Sequence, residues 1–188
     1  MMENRSNALM LFALLVPCML RGQAGLNCTS HDNYYVVVKD RADSVLNDVL
    51  VKYGTGPHKC AYQPASGDYE MKEVPANTIV KLADQYLFLG GQSGPDGGTF
   101  AVFDLNGRKK VYEHSYSGTG VRINAGIVTF TETVGPAKRA ECPKFDEITK
   151  MSLAPAIEAD VSFAVADLAH PEKLKLLSPV KPRCVAHQ

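Results

Sequence analysis

The stretch TFAVFDLNGRKKVYEHSY, residues 99–116, decides the fold. Two runs rich in β-branched and aromatic residues, Thr99 to Leu105 and Lys109 to Tyr116, flank Asn106-Gly107. Asn-Gly is the strongest short hairpin signal, because both central residues of a type I′ turn take positive φ. The pattern continues on both sides. Downstream, Val121 to Ile123 and Ile127 to Thr133 flank the small-residue turn Asn124-Ala125-Gly126. Upstream, apolar-rich runs occupy Asn77 to Leu82 and Gln85 to Gly90. Strands arriving at this spacing predict an antiparallel meander, folded as a sandwich or a partly open barrel.

Nearer the N-terminus, Asn33 to Lys39 (NYYVVVK) reads as a buried strand. The period then changes. Val45, Leu46, Val49, Leu50 and Tyr53 fall on one helical face, with Asp40 or Asp43 to cap the start and Gly54 to end it. This predicts one helix packed against the N-terminal part of the sheet. Toward the C-terminus, Lys144 to Met151 has the spacing of a short helix, and Ile157 to Leu168 alternates as a half-exposed strand. The expected class is α+β, mainly β, in a single domain over residues 25–188.

Residues 1–24 have the three-part layout of a secretory signal peptide: a short basic start, the apolar run Ala8 to Leu20, and small residues ending at Ala24. The apolar run is 13 residues, against roughly 20 for a bilayer-spanning helix. The expectation is cleavage near Ala24 and a secreted or periplasmic protein with no transmembrane segment in its mature chain. Cys18 leaves with the signal, so Cys28, Cys60, Cys142 and Cys184 remain. An even set in an oxidising compartment predicts two disulfides. Cys28–Cys60 with Cys142–Cys184 brackets each end of the chain, and the nested alternative stays open. The spacing contains no C-x-x-C, so neither a metal site nor a cofactor is expected.

The full chain carries 20 basic and 20 acidic side chains. A chain so close to neutral has no long-range field to gather polyanions, which argues against nucleic-acid binding. The expected partner is a protein or another envelope component. Two glycine- and serine-rich connections are the candidate recognition surface: Gly90 to Gly98, with Gln92, Ser93 and Asp96, and Ser115 to Gly120, with His114, Tyr116, Ser117, Thr119 and Arg122 nearby. Neither is a P-loop or a nucleophile elbow, because Gly-Lys-Ser/Thr is absent and Pro95 breaks G-x-S-x-G. Serine hydrolysis by Ser93 or Ser117 with His114 is the catalytic alternative. Glu113 and His114 are neighbours in a strand and point to opposite faces, so they form no local dyad.

Ser115-Tyr116-Ser117-Gly118-Thr119-Gly120-Val121-Arg122 resembles the Ser-Gly-containing loop of periplasmic lysozyme inhibitors of the C-type class. The resemblance covers about eight of the 188 residues. It implies a small exported β-barrel that inserts a loop into the cleft of a secreted hydrolase. The chain departs from that pattern in having no tryptophan. The residues as a whole point to an exported, non-enzymatic binding module, with inhibition of a secreted hydrolase as the alternative.

Overall fold

The computed structural model describes residues 25–44, 46–75, 78–94, 97–178 and 181–188. The signal-peptide reading of residues 1–24 lies outside them. Two antiparallel sheets are present. A four-stranded meander joins β1 (Leu26–His31), β2 (Tyr34–Asp40), β3 (Asn47–Tyr53) and β4 (Tyr69–Val74). A seven-stranded sheet follows: β5 (Thr78–Ala83), β6 (Tyr86–Gly94), β7 (Gly97–Asp104), β8 (Lys109–Asn124), β9 (Ile127–Pro136), β10 (Ala154–Ala164) and β11 (Arg183–His187). Each strand pairs with its sequence neighbour, so the sheet order is the chain order. A short helix, α1 (Phe145–Lys150), sits in the β9–β10 connection, within the segment whose spacing predicts it.

The segment expected as the N-terminal helix is a strand instead. Asn47–Tyr53 is β3, held between β2 and β4. The physical reason is burial on both faces. Val49 and Val51 join the core between the sheets, whereas Leu50 points the other way and is equally covered. A strand buried on both sides reads as a continuous apolar run, and such a run mimics part of a helical face. The outer cover is the irregular segment 54–68. Cys28, Val37, Leu50 and Glu70 form one cross-strand row on that face. The Cys28–Cys60 disulfide fastens the segment over the row, and the Tyr62 hydroxyl donates to Glu70 Oε1 at 2.8 Å.

The first core joins Val36, Val38, Val49, Val51 and Met71 of the small sheet to Leu82, Leu87, Leu89, Ala101 and Phe103 of β5–β7. The opposite face of β6 and β7 gathers Phe88, Phe100 and Val102 with Val128, Phe130, Val161 and Phe163 from β9 and β10. Strands so far apart share one cluster only if the large sheet coils on itself. Lys81 Nζ on β5 donates to the Ile123 carbonyl of β8 at 3.4 Å, across a separation of roughly 14 Å in a flat sheet. The architecture thus combines a two-sheet sandwich with a coiled, open seven-stranded sheet.

The two predicted turns exchange geometries. Ala125 and Gly126, with φ of 47° and 74°, form the two-residue turn between paired Asn124 and Ile127, as a primed hairpin turn requires. The Asn106-Gly107 hairpin instead has four turn residues between paired Asp104 and Lys109, and its positive φ falls on Arg108. Leu105 explains the difference. Its side chain is buried in the first core, and its amide donates to the Gln85 carbonyl at 2.9 Å. Asp104 Oδ1 accepts the Asn106 amide at 3.1 Å and closes the widened turn. The second disulfide joins Cys142 to Cys184, so the bracketing pairing forms at both ends. Among the described residues no helix is long and apolar enough to cross a membrane.

Candidate recognition surface

The two glycine-rich segments meet at one end of the large sheet. Gly97 and Gly98 of β7 pair with Ser117 and Tyr116 of β8. The stretch 115–120 is therefore strand, not a free loop. Its irregularity lies in the ladder to β9: Ser117 pairs with Thr131 and the next registered pair is Arg122 with Thr129. Gly118 to Val121 thus stand against Phe130 alone as a wide bulge. Gly118 and Gly120, at φ 67° and 94°, supply the left-handed residues such a bulge needs.

Tyr116 divides the surface. Its ring lies over Gly98, where an added Cβ would fall 2.6 Å from the hydroxyl and 2.8 Å from Cζ, and near Gly120 on its other flank. On one side a depression of about 410 Å³ is lined by Gly97, Gly98, His114, Ser117, Glu132 and His187 among others. On the other side a depression of about 390 Å³ is lined by Thr78, Val80, Gly90, Gln92, Gly120 and Val121. Both are open to solvent, and Tyr116 lines both.

The first depression is lined by two histidines, His114 and His187, each of which is paired with a carboxylate. His114 Nε2 lies 2.9 Å from Glu132 Oε2, and the imidazole sits edge-on to Phe130 with centroids 5.0 Å apart. His187 Nε2 lies 3.1 Å from Glu158 Oε1. Each Nε2 is within hydrogen-bond reach of its carboxylate, which fixes the orientation of the ring. Glu158 is buried, and Arg183 stands 3.4 Å from it and 2.9 Å from Asp160. The Arg183 hydrogen bond, followed by that of Thr131, holds the Asp160 carboxyl below the usual carboxylate range. Burial, and then the charge of Glu132, push the Tyr112 phenol up to about 12. Burial also raises Tyr116. Both phenols are thus shifted away from ionisation.

Of the residues singled out from sequence, Gln92, His114, Tyr116 and Ser117 are brought to this surface. Gln92 is exposed and donates to the Gly94 carbonyl at 3.1 Å. Ser117 is buried, with its Oγ 2.6 Å from Thr133 Oγ1. Arg122 is exposed and close enough to Asp160 to lower that carboxyl further. Asp96 lies outside the described residues, as do the side chains of Ser93 and Thr119. Sequence reasoning misses Glu132, Thr133 and His187. They arrive by register, since Glu132 lies on β9 opposite the His114 strand and His187 is carried in by β11 pairing with β10. Only the alternation Thr129-Phe130-Thr131-Glu132-Thr133 hinted that Glu132 shares the face of a buried aromatic.

In chemical terms the surface offers hydroxyls, two oriented imidazoles and a phenol on glycine-flattened walls. Among the described residues no group of three or more His, Cys, Asp or Glu side chains is gathered to hold a metal ion. No family model, curated protein or solved structure matches the chain.

Proposed function

We propose that this chain is an exported, non-enzymatic binding module that engages a protein or envelope component through the two depressions flanking Tyr116. The observation that carries the reading is the convergence of both glycine-rich segments on one aromatic residue. Concave, solvent-open surfaces with a few fixed polar groups are what a rigid β scaffold presents for recognition. The two disulfides accord with an oxidising compartment. Against serine hydrolysis stands the Ser117 hydroxyl, which is buried and faces Thr133 Oγ1.

The test is quantitative capture from native envelope extract and culture fluid on immobilised wild-type protein, on Tyr116→Ala/Gln92→Ala, and on the remote control Lys72→Ala. The expected result is a component retained by wild type and Lys72→Ala but reduced at least about tenfold by the site variant, the scale of a hot-spot loss. Equal retention by all three proteins overturns the reading.

Inhibition of a secreted hydrolase is the second reading, supported by the Gly118–Val121 bulge within the lysozyme-inhibitor-like stretch. It predicts that equimolar protein suppresses C-type lysozyme activity on bacterial cell walls and that Gly118→Val/Gly120→Val restores it. Unchanged lysozyme activity refutes that version.

A further inference from the structure

We propose that a separate groove at the Cys142–Cys184 end of the molecule binds a single-chain alkyl carboxylate. The groove, about 880 Å³, is lined by Val134, Gly135 and Pro136 at the end of β9, Ile157 of β10, Lys138, Ala140, Glu141 and Pro143 in the β9–β10 connection, and Lys181-Pro182 before β11. Its volume lies within the roughly 300–1,000 Å³ of small-molecule sites.

Three features select the ligand. Val134 is 60% exposed at the groove, an unusual position for so large an apolar side chain. Beside Val134, Ala140 and Ile157 the wall is poor in backbone donors, because Pro136, Pro143 and Pro182 carry no backbone N–H. Such a wall favours a hydrocarbon chain over a peptide, which would need backbone pairing. The rim supplies the charge complement. Lys138 and Lys181 both line the groove, and among the described residues neither has a carboxylate partner within ion-pair distance. The carboxylate of Glu141 is turned to the Lys138 amide at 3.4 Å. The adjacent Arg139 is neutralised by Asp146 at 2.7 Å. The groove is thus left with an excess of ammonium charge beside a hydrocarbon surface.

The walls are also held in place. Pro143 follows Cys142 directly, and Pro182 lies two residues before Cys184, so the disulfide ties the two sides together. A preformed groove avoids the ordering cost of assembling one on binding.

The test is isothermal titration of the full disulfide-bonded protein with octanoate, decanoate and dodecanoate below their micellar concentrations, and with dodecanol as the uncharged comparison. Affinity is expected to rise with chain length by about two- to fourfold per methylene, fourfold being full burial. Lys138→Gln/Lys181→Gln should weaken dodecanoate by about fivefold or more and leave dodecanol unchanged. Val134→Asp, a change at an exposed position that leaves the fold intact, should remove binding of all three acids. Affinity independent of chain length, dodecanoate binding unaltered in the double lysine variant, or dodecanoate binding unaltered by Val134→Asp would each overturn the proposal.

Discussion

Val51→Ala separates the observed strand from the helix that the sequence pattern suggests. On a helical projection at 100° per residue, Val51 falls roughly 170° from the centre of the apolar face, among solvated positions. In the structure it pairs with Val36 on one side and Tyr69 on the other, and it is fully buried in the core between the sheets. Truncation removes two carbons, at about 0.8 kcal/mol each in transfer free energy. It also leaves a cavity of about 50 Å³, which adds about 1.2 kcal/mol at ~24 cal/mol per Å³. The total is about 2–3 kcal/mol. With a urea m-value of ~2 kcal/mol/M, the unfolding midpoint should fall by about 1 M. The assay is urea unfolding followed by circular dichroism under oxidising conditions, with exposed Lys72→Ala as the control. A shift below about 0.25 M, the scale of an ordinary surface substitution, refutes the strand assignment and the reasoning from two-sided burial.

Gly98→Ala should destabilise by about 1–3 kcal/mol, as overpacking does, because its Cβ runs into the Gly91 carbonyl oxygen and the Tyr116 ring. Gly90→Ala should cost less, since its Cβ meets only a Val80 methyl at 2.9 Å; thermal unfolding of the two variants gives the order. Asp160, whose carboxyl is held below its ordinary 3.8 by Arg183 and Thr131, should stabilise the fold above that pH and cease to do so as pH falls through its folded value. Wild type should therefore exceed Asp160→Asn in urea stability at pH 6, by up to about 1 kcal/mol for so exposed a pair, and the gap should shrink as pH falls below 3.8. An undiminished gap at low pH refutes the ion-pair account. Cys142→Ala/Cys184→Ala and Cys28→Ala/Cys60→Ala, closing loops of similar length, should each lose roughly 4 kcal/mol by chain entropy. The first should lose more, because Cys142 is also buried; equal midpoints would leave packing without a role. A fluorophosphonate probe should fail to label Ser117, whose hydroxyl is buried against Thr133, and a labelled Ser117 peptide would revive the hydrolase reading.

Strands β2 and β5 to β10 and the disulfides were legible because their signals are local or arithmetical. Alternation marks one face of β10, turn residues punctuate β8 and β9, and Cys28, Cys60, Cys142 and Cys184 form an even set outside the apolar run 8–20. Three features depend on what a segment packs against, which no window of sequence contains. Leu50 faces outward from the inter-sheet core, yet it is buried because residues 54–68 fold back over it, so Val49-Leu50-Val51 lost its alternation. The Asn106-Gly107 turn widened because the core claimed Leu105. The candidate surface was half legible for the same reason. Glycines at 97, 98, 118 and 120 announced an irregular backbone, but an irregular backbone reads alike as a loop or as a bulge inside a strand. What decides between them is the partner strand: Gly97 and Gly98 bind the β8 backbone on one edge while β9 drops out of register on the other. That asymmetry holds Tyr116 rigidly between two glycines and opens a depression on each side of it. Gly98→Ala should therefore displace Tyr116 and alter both depressions as it destabilises the fold.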